Sequence, residues 1–236
     1  MIKAEEIMTL TFKTSYPVCK DVQTFVFTSH KPLSWQAGQL IHYTLPHDNP
    51  DDRGIERWFT IASAPSEKEI WITTRIFGDK ASSFKKALQT LKDGDIVKAD
   101  APEGDFVVKD LAKQYVFIAG GIGITPVRSI LHQLDFEDKS IKAQLLYANR
   151  SQHDIPFQAE LESLSAKHET FNITYFIGDN HVDQAVIKKY NDSHTKPNFY
   201  LSGPEPMVAS VKKLVEKSSV PDSRITVDDF PGYDTI

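Results

Sequence analysis

The sequence predicts two consecutive domains, an antiparallel β-barrel followed by an α/β domain built on a parallel sheet. Short runs of β-branched and aromatic residues, separated by turn signals, occupy residues 1–110 and are typical of an all-β unit. Apolar strands then alternate with amphipathic helices over residues 111–236, and a glycine-rich loop follows the first of these strands. A chain of 236 residues is long enough for two such domains, with the boundary expected at residue 110.

The first half consists mainly of short strands. We predict them over residues 24–28, 40–45, 70–75 and 96–99, with glycine- or proline-containing turns between them. One helix is expected at residues 82–91, where serines can cap its start and apolar residues recur at helical spacing. Many short strands with this punctuation favour a barrel or a sandwich.

The second half alternates strictly between strands and helices. The predicted strands cover residues 115–119, 144–148, 173–177 and 199–201. The predicted helices that follow them in turn cover residues 126–134, 157–166, 183–190 and 206–217. Continuous apolar strands between amphipathic helices indicate a parallel sheet with helices on both faces. Ligands of such sheets bind at the carboxyl ends of the strands.

The composition excludes several classes of protein. A net charge of −5 and the lack of a basic run argue against nucleic acid as a partner. The one cysteine, Cys19, can form no internal disulfide and cannot hold an iron–sulfur cluster, and the scattered histidines predict no metal site. The N-terminus does not resemble a signal peptide, and no apolar run approaches the roughly 18 residues of a membrane span. We therefore predict a soluble cytoplasmic protein and leave its oligomeric state open.

A glycine-rich loop, GGIGITP, covers residues 120–126 between a predicted strand and a predicted helix. Glycines permit positive φ and let the backbone approach a diphosphate, which the N–H groups at the helix start attract. Pro126 fits the first helical position, although dinucleotide-binding loops usually have a third glycine there, and no acidic residue follows at the point expected for ribose. A second loop, LSGPEPM at residues 201–207, would lie at the same sheet edge. The alternative for the first loop is a tight turn without a ligand, and the second loop, taken alone, is usually just a turn.

The strand-like sequence RWFT at residues 57–60 carries further candidate ligand-binding side chains. Arg57 offers a guanidinium fork for phosphate, Phe59 a flat apolar face and Thr60 a hydroxyl. Strand alternation places Arg57 and Phe59 on one side and Trp58 and Thr60 on the other, which argues against one ligand touching all of them. The sequence GDKASS at residues 78–83 leads into the predicted helix and offers N–H groups and hydroxyls to a phosphate.

Taken in order, RWFT, GDKASS, GGIGITP and LSGPEPM resemble the ferredoxin–NADP reductase family of flavoproteins over nearly the whole chain. The resemblance implies an FAD-binding barrel and a second domain that binds NADP or NAD as a substrate. It implies that Arg57 binds the flavin phosphates, that Phe59, in place of the usual tyrosine, lies along the isoalloxazine ring, and that Thr60 hydrogen-bonds flavin N5. The GDKASS loop would hold the FAD pyrophosphate, and the GGIGITP loop the nicotinamide dinucleotide.

The same resemblance predicts three catalytic residues, Thr60, Ser202 and Asp228. Ser202 stands where many members have a cysteine beside the nicotinamide, and Asp228 stands where they have a glutamate. A C-terminal aromatic residue often covers the flavin in this family, and Phe230 and Tyr233 are both candidates. The predicted cofactor contacts are Arg57, Trp58, Phe59, Thr60, Ile61, Thr74, Gly78, Lys80, Ala81, Ser82, Gly121, Thr125, Pro126, Arg150, Ser202, Gly203, Pro204, Met207, Phe230 and Tyr233.

The function implied is transfer of hydride from nicotinamide C4 to flavin N5, followed by release of single electrons to a separate carrier protein. Ferredoxin or flavodoxin is the favoured carrier, and free flavin, a quinone or a membrane electron-transport complex remain alternatives. Arg150 could pair with a 2′-phosphate, which slightly favours NADPH over NADH. Two rival functions are a free-flavin or ferric reductase, and a non-catalytic regulatory subunit that binds flavin or nucleotide within an electron-transport complex.

Overall fold

The structure is a computed structural model that describes residues 7–230, and its first half forms an antiparallel sheet. The elements are β1 (Met8–Cys19), β2 (Val22–Ser29), β3 (Leu40–Thr44), β4 (Glu56–Thr60), β5 (Ile70–Arg75), α1 (Ser83–Thr90) and β6 (Ile96–Ala99). These six strands pair in the order β4-β3-β6-β1-β2-β5. Strands β4 and β5 are the two edges of this sheet, and the chain just after β4 contacts β5: the N–H of Ala62 donates to the carbonyl of Trp71 at 3.0 Å. The sheet therefore curls towards a barrel.

The second half forms a parallel sheet between two layers of helices. Its elements are β7 (Tyr115–Gly120), α2 (Ile124–Phe136), β8 (Ala143–Asn149), α3 (Gln158–Lys167), β9 (Phe171–Ile177), α4 (Gln184–Asn191), β10 (Asn198–Pro204), α5 (Glu205–Lys217) and β11 (Ile225–Phe230). The strand order is β11-β10-β7-β8-β9, and all the pairs are parallel.

The apolar cores follow from the strand periodicities. In the first sheet the core joins residues of the strands to Phe84 and Leu88 of α1, whose start is capped by the Ser82 hydroxyl accepting from Lys85 N–H at 3.3 Å. Strand β7 is buried throughout, and its residues alternate between two cores. Phe117 packs on the side of α2 and α3, whereas Val116 packs on the side of α4 and α5. Both faces of the parallel sheet are thus covered, as its continuous apolar strands require.

The predicted fold class is confirmed, and the five predicted helices agree with the structure to within two residues at each end. Two strands were not predicted. Strand β1 has an irregular register with shifts at Phe12/Thr14 and Pro17/Cys19, so its residues lack a clean alternation. Strand β11 is a sheet edge that pairs only with β10 among the described strands.

The domain boundary at residue 110 falls between β6 and β7 and stays a prediction. Among residues 7–230, no helix is both long enough and apolar enough to cross a membrane.

The segment between β6 and β7 packs against both sheets. Phe106 belongs to the core beneath α2, and the Tyr200 hydroxyl on β10 donates to the carbonyl of Val107 at 2.8 Å. On the barrel side, Gly38 approaches this segment so closely that a Cβ on it would lie 2.0 Å from the Phe106 carbonyl oxygen. The contact leaves no room for a side chain at Gly38.

We expect Gly38→Ala to destabilise the protein more than Gly94→Ala. The two glycines have similar positive φ angles, +98° and +93°, so alanine introduces comparable backbone strain at both. A Cβ on Gly94 meets no atom within 4 Å, whereas one on Gly38 overlaps the neighbouring backbone. The free energy of unfolding, measured by urea denaturation, should differ between the variants by about 1–3 kcal/mol. Equal losses would contradict the close contact.

Candidate functional site

Arg57 on β4 lies in a dense network beside the start of α1. Its Nη1 donates to three backbone carbonyls of the 53–56 turn at 2.6–3.1 Å, and its Nη2 donates to the Asp51 carboxylate. The guanidinium lies over the Phe84 ring with 5.7 Å to the centroid. Among the described residues, none accepts a hydrogen bond from the buried Nε of Arg57. A buried donor of this kind indicates that a further acceptor belongs here.

Asp51 connects Arg57 to the first turn of α1. Its carboxylate accepts from the N–H of Ser83 at 3.1 Å, and its own N–H donates to the Ser83 hydroxyl at 2.9 Å. Desolvation alone would raise the pKa of Asp51, but hydrogen bonds from Arg57, Ser83 and Arg53 lower that pKa to about 2. The carboxylate is therefore ionised at neutral pH and holds Arg57 at the helix start.

Lys85 on α1 adds a positive charge to the same region. Its Nζ donates to the carbonyl of Arg75 at 2.9 Å. Desolvation, followed by the charges of Arg53, Arg75 and Arg57, lowers the pKa of Lys85 to about 7. An anion bound here would relieve this repulsion and would also meet the positive end of the α1 dipole. The residues therefore fit a diphosphate group such as that of FAD.

A cleft of about 610 Å³ adjoins this cationic region. It runs between the 47–51 loop and α1, with Ala81, Ser82 and Ser83 in its wall. The predicted phosphate-binding loop forms a short 3-10 turn at Gly78–Lys80 before Ser82 caps α1. The structure thus brings Arg57 and the predicted GDKASS loop to the same helix start.

The pleat of β4 separates the side chains of the RWFT motif. Phe59 faces the same way as Arg57 and contacts Phe84, with ring centroids 5.7 Å apart. Trp58 faces the other way, is 50% exposed, and stacks on His42 at 4.5 Å. Trp58 is therefore separated from Arg57 and Phe59, as the alternation predicts.

The predicted catalytic residues come together at the junction of the two sheets. The Ser202 hydroxyl on β10 donates to Asp228 Oδ2 on β11 at 3.0 Å, and Thr60 at the end of β4 lies close enough to Asp228 to affect its pKa. Desolvation is the main cause that raises the pKa of Asp228, and the charge of Asp229 adds to it, whereas the hydroxyls of Ser202 and Thr60 lower it. A half-buried carboxylate thus lies beside hydroxyl side chains from both halves of the chain.

The two predicted loops of the parallel sheet are packed directly on each other. A Cβ on Gly123 would lie 2.4 Å from the Ser202 carbonyl oxygen, and a Cβ on Gly120 would lie 2.2 Å from the Met207 sulfur. Gly121 has a φ of +51° and lies beside Arg75, whose Nη2 would be 3.8 Å from a Cβ there. The glycines are needed for this packing and for the turn itself.

One detail of the glycine loop was predicted wrongly. The helix after it begins at Ile124, so Pro126 is the third helical residue and not the first. Proline is tolerated there because the N–H groups of the first turn have no helical partner. Thr125 and Pro126 are both buried, and the Thr125 hydroxyl donates to the Ile122 carbonyl at 3.2 Å.

The remaining predicted contacts have diverse surroundings. Ile61 is fully buried in the barrel core and Thr74 is buried on β5, so their contact with a cofactor stays a prediction. Arg150 is exposed just after β8. Phe230 is half-buried and pairs in register with Pro204, whereas Tyr233 lies outside the described residues.

Sequence reasoning missed Asp51, Arg75 and Lys85. Lys85 lies within a predicted helix and Arg75 at the end of a predicted strand, so neither follows the loop signals that identified the other residues. Within residues 7–230, no three histidine, cysteine, aspartate or glutamate side chains are grouped so that they could hold a metal ion.

Comparison with known proteins adds three relationships. Residues 117–213 match the family model of the oxidoreductase NAD-binding domain. The chain is similar to a flavohemoprotein of Candida albicans, with 31% identity over 241 residues that cover 92% of this chain and 57% of that protein. It is also similar to one subunit of the Na(+)-translocating NADH-quinone reductase of Neisseria meningitidis, with 28% identity over 84% of this chain and 54% of that protein. The chain thus spans about half the length of these curated relatives.

Among solved structures, the ferredoxin-NADP+ reductase of Plasmodium falciparum superposes with a TM-score of 0.78. The match covers 97% of this chain and 99% of that one at 16% sequence identity. At this identity the likeness establishes the fold, and it extends over both sheets.

Proposed function

Because the chain belongs to the ferredoxin–NADP reductase-like family of flavoproteins, we propose that it is an FAD-dependent oxidoreductase that takes hydride from NADH or NADPH. We further propose that a separate one-electron carrier, such as ferredoxin or flavodoxin, receives the electrons. The observation that carries the proposal is the meeting of Thr60, Ser202 and Asp228 between the cationic helix start and the glycine loop.

The residues of the first sheet would hold the cofactor. FAD, when bound, supplies the acceptor for a hydride and releases the two electrons one at a time. Arg57, through its unpartnered Nε, and Lys85 would bind its diphosphate at the positive end of the α1 dipole, and Asp51 would keep Arg57 in place. Phe59 offers its ring as an apolar wall for the flavin.

The residues at the carboxyl edge of the second sheet would hold the nicotinamide dinucleotide. The glycine loop lets the backbone approach the diphosphate, and Arg75 beside Gly121 adds a positive charge. Asp228 accepts a hydrogen bond from Ser202 and so fixes the direction of that hydroxyl, with Thr60 close by. These groups align the two rings, and alignment is the protein's main contribution to hydride transfer.

The acceptor must lie outside these 236 residues. They contain one cysteine, so they cannot ligate an iron–sulfur cluster. The similarity to a subunit of an NADH-quinone reductase supports a second candidate, in which the acceptor is a component of a larger electron-transport complex. A purely regulatory role is less well supported, because the residues for both nucleotide sites are retained and brought together.

The decisive experiment is an anaerobic absorbance titration of the purified protein with NADH and with NADPH. We expect bound FAD whose visible absorbance band bleaches on addition of at least one nucleotide. If Arg150 pairs with the 2′-phosphate, Arg150→Ala should weaken NADPH binding and leave NADH binding unchanged. A folded protein that takes up no flavin, or bound flavin that neither nucleotide bleaches, would exclude the proposed activity.

We expect Arg57→Ala to purify with much less FAD than the wild type. A hydrogen bond to a charged group contributes about 1.5–3 kcal/mol, so its loss should weaken FAD binding about tenfold to hundredfold. Arg224→Ala is the matched control, because Arg224 bonds Pro197 and Asn191 within the second half of the chain. Flavin content is measured by absorbance after release, and full occupancy in the Arg57 variant would refute its role.

We expect Asp228→Asn to slow flavin reduction about tenfold or more, because Ser202 loses the carboxylate that accepts its hydrogen bond and orients its hydroxyl. The neighbouring Asp229→Asn is the control, since Asp229 is exposed on the same strand. Stopped-flow absorbance at saturating nucleotide gives the rate, and FAD content should stay unchanged in both variants. Equal rates in the two variants would remove Asp228 from the mechanism.

A further inference from the structure

Arg128 on α2 is a buried arginine with an unusually complete set of partners. Its side chain is 2% exposed. Nη1 donates to Glu67 Oε2 at 2.7 Å and Nη2 donates to Glu67 Oε1 at 3.0 Å, a two-pronged pair with fixed geometry. Nη1 also donates to the Ala62 carbonyl at 3.1 Å, and Nε donates to Glu160 on α3 at 3.0 Å.

These partners come from both halves of the chain. Ala62 and Glu67 lie between β4 and β5, and the Trp71 ring of β5 covers one side of the guanidinium at 4.5 Å from its centroid. Glu160 belongs to α3, and Phe157 just before that helix lies 5.0 Å from the guanidinium. We call Arg128 with Ala62, Glu67 and Glu160 the Arg128 clamp.

Neighbouring residues of α2 extend the clamp along the same helix face. The Ser129 hydroxyl donates to the Ser63 carbonyl at 2.6 Å. The Gln133 side chain accepts from Ser66 N–H at 2.9 Å. The 62–67 segment is therefore bonded to α2 at several points, and Glu67 also accepts from the N–H of Ala64 at 2.6 Å.

The position of the clamp in the chain relates it to the site. The 62–67 segment begins two residues after Thr60, on the flavin side. Helix α2 begins at Ile124, within the glycine loop, on the nicotinamide side. The clamp thus bonds the segment that follows β4, which carries the predicted flavin contacts, to the helix that follows the glycines of the predicted nicotinamide loop.

We propose that Arg128 is a positioning residue that sets the separation and orientation of the flavin and nicotinamide sites. The inference rests on the proposed function. A buried ion pair adds little net stability over apolar packing, whereas a two-pronged arginine–carboxylate pair fixes relative orientation closely. Hydride transfer depends steeply on the distance between the reacting atoms, so loosening this pair should slow it without emptying either site.

The first test measures flavin reduction in Arg128→Met and Glu67→Gln. Arg224→Met is the control for the arginine, since Arg224 bonds only residues of the second half among those described. Glu69→Gln is the control for the carboxylate, since Glu69 pairs with Lys13 on β1 within the first sheet at 2.7 Å. We expect the reduction rate at saturating nucleotide to fall about tenfold in the clamp variants and about twofold at most in the controls.

Two further readouts in the same preparations separate positioning from general damage. FAD content and the dissociation constant of the nucleotide should stay within about twofold of the wild type, because neither site loses a contact. The isotope effect with 4-deuterated nucleotide should remain large in the clamp variants, since the hydride step itself becomes slower.

The second test measures the geometry directly by pulsed dipolar spectroscopy. Spin labels are attached at K98C on β6 and K213C on α5 in a C19S background, because both lysines are exposed and lie in different halves. We expect the distance distribution to broaden in the clamp variants and to keep its wild-type width in the controls. If Arg128→Met does not fold, Glu67→Gln decides, because it keeps the arginine in place and removes the carboxylate charge.

The outcomes distinguish this inference from the proposed function. A wild type whose flavin is not bleached defeats the proposed function, and with it the positioning role that Arg128 would serve. A wild type that is bleached, with clamp variants as fast as their controls or with unbroadened distances, overturns the role of Arg128 alone.

Discussion

A buried guanidinium, that of Arg128, joins the two halves of the described chain through hydrogen bonds to Ala62, Glu67 and Glu160. Burying the charge of Arg128 is unfavourable unless carboxylates accompany it, and Glu67 and Glu160 do so from opposite sides of the junction. This pairing holds α2 against the segment that follows β4. Thr60, at the end of β4 and two residues before that segment, lies near Asp228 on β11.

Charge is arranged differently in the two halves of the site. At the start of α1, desolvation and then the charges of Arg53, Arg75 and Arg57 lower the pKa of Lys85 to about 7, and the Asp51 carboxylate accepts from Arg57 and holds it in place. Such preorganisation lowers the entropic cost of binding a diphosphate. At the sheet junction the ionisable group is instead the half-buried carboxyl of Asp228, whose pKa is raised mainly by desolvation. The first region is thus strongly cationic, whereas the second carries a single carboxyl beside two hydroxyls.

The sequence was sufficient for the fold class and the five helices, and the elements and contacts that it missed have physical causes. Glycines and strand–loop–helix order identified the loops because backbone geometry demands them locally. Arg128 could not be recognised, since an arginine in an amphipathic helix normally faces water and only the packing of the other half buries it. Strand β1 was missed because its bulges break the alternation, and the start of α2 was displaced because Pro126 suggested the first helical position. Tertiary contacts, and not local pattern, decide each of these cases.

The alternation along β4 has an implication for how such a chain can vary. Successive side chains of this strand face opposite surfaces, with Arg57 and Phe59 towards α1 and Trp58 towards His42. A single inserted or deleted residue would turn each of these side chains to the opposite surface of the sheet. It would also shift Thr60 away from Asp228. Replacement of a single side chain leaves the facing of all the others unchanged. The spacing of this short strand is therefore under stricter physical constraint than its composition.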